Sequence, residues 1–260
     1  MFALKPNRTK HLLSTGQCAY GTAIAEYGTP AYAQMAALAG YDYLMIDREH
    51  NAWDIQTLRE IVRTCRARDI TPIVRIPDMV PHWISQMLDL GAEGIMIPRV
   101  ESRAVVEAAL RRMKYPPEGE RGLATGIGHC DYQPCEAAQV VAHANANTML
   151  VIQIESQLAI DRVDDIVSTP GLDAVMIGPM DLSLSLGMVG QVDAPRMREA
   201  MGSILAACTR HGVACGLHLG DAALLRQWAE RGARFITYSS DIGFVQDGLQ
   251  EGIHRLKANG

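Results

Sequence analysis

Residues 149–181 read MLVIQIESQLAIDRVDDIVSTPGLDAVMIGPMD. An apolar, β-branched run, Met149–Glu155, ends on a carboxylate. An amphipathic stretch, Gln157–Val167, follows it with the spacing of a helix. A second apolar run, Ala174–Gly178, then opens onto Pro179, Met180 and Asp181. The unit is strand, helix, strand, and the same alternation runs along the chain. Further strands are predicted at Ala19–Ala25, Tyr41–Asp47, Thr71–Arg75, Gly94–Pro98, Val213–His218 and Arg234–Tyr238. Further helices are predicted at Ala31–Leu38, Ile55–Arg66, His82–Leu90, Ser102–Met113, Cys135–Ala144, Pro195–Arg210, Ala222–Arg231 and Asp241–Leu256. Eight strands with intervening helices predict an α/β fold, a closed (β/α)8 TIM barrel, as a single domain over 1–260. A doubly wound open sheet is the alternative, but no glycine-rich phosphate turn follows the first strand.

The chain has 260 residues, 48% of them hydrophobic and 20% charged, enough to bury a sizeable core. A net charge of −5 argues against nucleic acid or an anionic membrane as a partner, since both favour a basic surface. No segment reads as a membrane span, and the polar stretch from Met1 to Gln17 lacks the apolar core of a secretory signal. The cysteines show neither a CxxC pair nor zinc-finger spacing, as expected of reduced thiols in a cytoplasmic protein. The segment 115–132, YPPEGERGLATGIGHCDY, is a long Gly- and Pro-rich loop that breaks the alternation.

Barrel enzymes carry their chemistry at the C-terminal ends of the strands. Here those ends hold Asp47, Glu49 and His50 after strand two, Arg75 on strand three, Gln153 and Glu155 on strand five, Asp181 after strand six, and His218 on strand seven. Glu155 and Asp181 are hard oxygen donors on neighbouring strand ends, suited to a divalent cation. Read blandly, Asp181 caps a helix and Glu155 pairs with an arginine. His50 beside Asp47 is a candidate general base. Arg75 ends an apolar strand and needs an anion, either a substrate group or a structural aspartate. The four lysines, Lys5, Lys10, Lys114 and Lys257, all lie away from predicted strand C-termini, so an imine mechanism has no candidate nucleophile.

The motifs GYDYLMIDREHN, PIVRIP, LDLGAEGIMIPRVES, KYPPEGERG, VIQIES and GLDAVMIGPMDLSLSLG run in order over nearly the whole chain. Together they resemble the metal-dependent class II pyruvate aldolases of the 4-hydroxy-2-oxoheptanedioate and 2-dehydro-3-deoxyglucarate aldolase type. That resemblance implies reversible cleavage of a 4-hydroxy-2-oxo acid to pyruvate and an aldehyde. It implies Mg²⁺ or Mn²⁺, with Co²⁺ or Zn²⁺ as substitutes, bound by Glu155 and Asp181 and stabilising the pyruvate enolate. It implies that Arg75 holds the keto oxygen and that His50, oriented by Asp47, moves the aldol proton. Gln153 lies in the pocket, and backbone N–H groups at Met180 and Asp181 take the carboxylate. Asp89 reaches the His–Asp pair of another subunit, in a homo-oligomer for which a hexamer is favoured. A decarboxylase of oxaloacetate-like acids and a non-catalytic sugar-acid-binding barrel are the alternatives. Arg48, where relatives often carry glycine, and His129, near the place of an expected arginine, depart from the pattern on the acceptor side or at the interface.

Overall fold

The computed structural model describes residues 4–258, so the outermost ends of the 1–260 domain reading lie outside the described residues. Eight parallel strands close into a barrel in sequence order. They are β1 Ala19–Ile24, β2 Tyr43–Asp47, β3 Thr71–Arg75, β4 Gly94–Ile97, β5 Met149–Ile154, β6 Ala174–Ile177, β7 Ala214–Leu219 and β8 Phe235–Ser240. The helices are α1 Arg8–Ser14, α2 Pro30–Ala39, α3 Ile55–Ala67, α4 Pro81–Leu90, α5 Arg103–Met113, α6 Ala137–Asn147, α7 Gln157–Asp161, α8 Val163–Val167, α9 Pro179–Ser185, α10 Pro195–Arg210, α11 Ala222–Glu230 and α12 Asp241–Lys257. Among the described residues, no helix is long and apolar enough to cross a membrane.

The strand alternation sorts the apolar residues into two layers. Leu44, Ile46, Val74, Ile95, Ile152, Val175 and Leu217 point outward and pack under the helices. Tyr43, Met45, Ile73, Met96, Val151, Met176 and Phe235 fill the barrel. Tyr43 stacks on Phe235 with ring centroids 4.5 Å apart and shares a 2.7 Å hydrogen bond with Thr237. Its ring occupies the space that Gly21 leaves, where a Cβ would lie 2.2 Å from it.

Three features escape the sequence pattern. The predicted helix Gln157–Val167 is two short helices that meet at Arg162. Two seven-residue helices, α1 and α9, are too short to show a period. Asn7 caps α1 by accepting from the Lys10 N–H, and Leu13 of α1 joins the inner layer at the N-terminal end of the barrel. Helix α9 starts at Pro179, whose ring suits a first helical position.

Candidate active site

Following the inward positions up each strand shows why a site forms at one end. On β2 they are Tyr43, Met45 and Asp47, and on β3 Thr71, Ile73 and Arg75. On β5 they are Met149, Val151 and Gln153, and the next inward step is Glu155. On β7 they are Ala214, Gly216 and His218. Thr71 apart, the lower layers are apolar and the last is polar or ionisable, so the polar groups meet where the barrel opens.

Asp47 and Arg75 are register partners on adjacent strands. The guanidinium donates through Nε (3.0 Å) and Nη2 (2.7 Å) to the two Asp47 oxygens. Its Nη1 donates to Gln153 Oε1 at 3.3 Å and lies 3.3 Å from Glu49 Oε2. The Gln153 amide then donates to Glu155 Oε2 at 3.2 Å. A continuous chain of polar contacts therefore links Asp47, Arg75, Gln153 and Glu155 across the mouth. Burial pushes the Asp47 carboxyl up, but the Arg75 fork and the N–H groups of Glu49 and His50 outweigh it and hold the group below the usual range. The partner that the sequence leaves open for Arg75 is thus a structural aspartate.

Glu155 sits at the other end of this chain. Burial, with the charges of Asp181 and Glu49, pushes its carboxyl up to about 7, against the opposing Arg99 N–H and Arg75 charge. Its Oε1 accepts from the Arg99 N–H at 2.7 Å. Its Oε2 lies against Gly178, where a Cβ would stand 2.2 Å from it, so only glycine leaves the carboxylate this seat. Asp181 is exposed in the first turn of α9. Among the described residues no group of three or more His, Cys, Asp or Glu is placed to hold a metal ion. Glu155 and Asp181, close enough for one charge to act on the other, are hard oxygen donors of the kind that suits a hard cation with positions left for substrate oxygens. The N–H groups of Met180 and Asp181 fall in the first turn of α9, where helix geometry supplies no intrahelical acceptor.

A pH dependence follows from Glu155. Its ordinary value of 4.5 applies in the unfolded chain, and about 7 applies in the metal-free fold. The folded state binds the proton more tightly, so this contribution to stability is present below about 4.5 and is lost as pH rises through about 7. The chelated protein is expected to lose thermal stability relative to Glu155→Gln between pH 5 and pH 8. A melting-temperature difference that is flat over this range would contradict the assignment.

One expected arrangement is corrected by the geometry. Asp47 does not orient the His50 ring. It accepts the backbone N–H of His50 at 3.4 Å, and both its oxygens are engaged by Arg75. The imidazole is 61% exposed and its near carboxylate is Glu49, at 3.7 Å. Asp89 lies on α4 and pairs with Arg121 at 2.6 Å, while the contact expected of it concerns a second copy of the chain. Arg48 turns to the Asn51 carbonyl at 2.6 Å and to the Trp83 ring, 5.1 Å from its centroid.

Sequence reasoning missed one member of the rim and left another without a role. Arg99 follows β4 and pairs through Nη1 with Glu49 Oε1 at 2.5 Å, while its N–H holds Glu155. The signal was present, since IPRV places an arginine just past a strand end. Glu49 bridges Arg75, Arg99 and the neighbourhood of His50, which its place beside Asp47 did not reveal.

Lys10 and Lys114 lie at the far end. Lys114 donates to the Asn145 and Thr148 carbonyls, immediately before β5, and Lys10 pairs with Asp173, immediately before β6. Burial holds the Lys114 amine down to about 8, the property of an imine-forming lysine, but it is the length of a strand from the mouth.

The fold and the rim define an α/β-barrel enzyme with an acid- and arginine-lined mouth. The profile of the HpcH/HpaI aldolase/citrate lyase family matches residues 26–247, and the chain belongs to that family as a lyase. It is 33% identical over 249 residues to 5-keto-4-deoxy-D-glucarate aldolase of Salmonella arizonae, covering 96% of each chain. The crystal structure of an HpcH/HpaI aldolase from Desulfitobacterium hafniense superposes with a TM-score of 0.91 at 34% identity, over 95% of this chain and 96% of that one. The structure of the citrate synthase SbnG superposes with a TM-score of 0.86 at 28% identity, over 96% and 98%.

Proposed function

We propose that the chain is a divalent-metal-dependent aldolase that reversibly cleaves a 4-hydroxy-2-oxo acid to pyruvate and an aldehyde. The contact chain from Asp47 through Arg75 and Gln153 to Glu155 carries this reading. Cleavage breaks the bond between C3 and C4, releases a proton from the 4-hydroxyl, and leaves an enolate on the pyruvate half. Glu155 and Asp181 are the residues that would hold the cation, which when bound supplies an electron sink for a 2-oxo acid. Arg75, fixed by Asp47, brings positive charge to where the enolate oxygen develops. Gln153 holds Glu155 in place. His50 is exposed at the mouth and is the group for the hydroxyl proton. The first-turn N–H groups of α9 face the substrate carboxylate. The experiment is proton NMR of pyruvate in D₂O with Mg²⁺ or Mn²⁺ and no aldehyde. Loss of the methyl signal faster than in an enzyme-free control is expected. No acceleration, in protein shown to bind the metal, rejects the reading. Release of CO₂ from oxaloacetate without cleavage of any 4-hydroxy-2-oxo acid would favour the decarboxylase instead.

We also propose a homo-oligomer, with a hexamer favoured. Among the residues of α12 only Asp241 is buried, tied by its carboxylate to the N–H groups of Ala25, Glu26 and Tyr27. Beyond it Val245, Leu249, Ile253 and Leu256 are exposed along the helix. The groove between α2 and α11, floored by Tyr20, Gly21 and Tyr238, stays uncovered. A helix with an exposed apolar stripe and a barrel with an uncovered groove fit if one copy's α12 packs against another copy. Light scattering is expected to show an oligomer that Leu249→Glu with Ile253→Glu dissociates. An active wild-type monomer at assay concentration refutes it.

A further inference from the structure

His218 has no part in the chemistry above, yet it stands at the mouth. On β7 the outward positions Cys215, Leu217 and Leu219 pack under the helices, and Ala214 joins the inner layer. By the same alternation His218 faces inward, at the level of its register partner Thr237 on β8. Its Nε2 lies 3.0 Å from the Ser239 carbonyl oxygen. A carbonyl only accepts, so Nε2 carries the proton and donates. Ser239 holds that carbonyl in a left-handed conformation, with φ +53°, which residues bearing a Cβ rarely adopt. The pairing of β8 with β1 shifts register at the same level, where Ala23 faces Ser240. Such irregularities re-aim groups at barrel rims. Burial lowers the imidazole's proton affinity against the bond to the Ser239 carbonyl, and the Arg75 charge lowers it further against Asp47. The balance favours the neutral ring, in which Nδ1 is a lone-pair acceptor, and Nδ1 has no protein partner among the described residues.

We propose that His218 is a specificity-determining residue for the aldehyde half of the substrate, its Nδ1 accepting a hydrogen bond from a hydroxyl of that fragment. The proposal rests on the aldolase reading and narrows it to hydroxylated aldehydes. The mouth is otherwise supplied with cations and carboxylates. Those take a carboxylate, a metal or a proton, whereas a neutral acceptor of fixed tautomer selects a hydroxyl. A site built to pair with a hydroxyl rejects an analogue that lacks it, because its own polar group is left without a partner.

The test compares aldol addition of pyruvate to glycolaldehyde and glyceraldehyde with addition to acetaldehyde and propanal, read as the ratio of kcat/KM values. Comparing that ratio between wild type and variant cancels the intrinsic reactivity of the aldehydes. His218→Leu is expected to lower the ratio by about tenfold, mainly through KM for the hydroxylated pair. His218→Gln, which keeps an acceptor, is expected to retain most of it. If the leucine variant does not fold, His218→Met puts the same question. An unchanged ratio, or equal losses for both aldehyde classes, overturns the role of His218. If wild type fails to exchange the pyruvate methyl protons, the aldolase reading itself falls, a result distinct from an exchanging enzyme whose ratio does not move.

Discussion

Glu155→Ala and Asp181→Ala are each expected to abolish divalent-cation binding and to lower turnover by at least about 10³-fold, with the fold intact. The size follows from the several kcal/mol that a cation contributes when charge develops on a carbonyl oxygen. Of the other rim carboxylates, Asp47 is engaged by Arg75 and Glu49 by Arg75 and Arg99, so neither replaces a lost ligand. Glu155 is buried beside Asp181 and Glu49, an arrangement that disfavours its own charge, so removing it does not strip the fold of a stabilising group. Gly178→Ala tests the same seat from the other side. A Cβ there meets Glu155 Oε2 at 2.2 Å, so the carboxylate has to move, and weakened binding is expected rather than none. Calorimetric titration with Mn²⁺ reads the binding and circular dichroism reads the fold. Full activity of the wild type in excess chelator, with no metal in the purified protein, would remove the site.

Arg75→Ala is expected to cost both turnover and stability. As a donor to developing negative charge it contributes about 3–4 kcal/mol, or about 10²–10³ in kcat. Its loss also leaves the Asp47 and Glu49 side chains, only 5% and 6% exposed, without their forked partner. Breaking a buried pair from one side costs about 3–5 kcal/mol. The two effects separate in the double variant Arg75→Met with Asp47→Leu. Removing both charges is expected to recover stability in urea unfolding while turnover stays lost. Arg75→Lys keeps the charge but not the fork, and is expected to fall between wild type and alanine in both measurements. Wild-type kcat in Arg75→Ala would show that the guanidinium serves the fold alone.

The barrel is legible in the chain because each strand is a short apolar run and each crossover an amphipathic one. These are local properties, and a parallel strand buried on both faces advertises itself without its neighbours. The rim is legible for the same reason. Where an apolar run ends in Asp47, Arg75, Glu155 or His218, the inward alternation carries that residue into the mouth. The absence of lysine from these ends is equally local, and the structure agrees in placing Lys10 and Lys114 at the opposite end.

The sequence by itself thus determined the architecture, the end of the barrel that bears the chemistry and, Arg99 apart, the residues that gather there. It did not determine how they pair. Asp47 stands three residues before His50, yet its carboxylate belongs to Arg75, because parallel register sets these two side by side. Glu155 owes its seat to Gly178 and to the N–H of Arg99, contributed from β6 and β4 on either side of β5. The exposure of α12 and the uncovered groove beside it were also invisible, since an amphipathic pattern says that a face will be buried but not against which surface. Spacing along a chain reports the periodicity of one element. Which charge neutralises which depends on distances across strands, and those exist only once the barrel has closed.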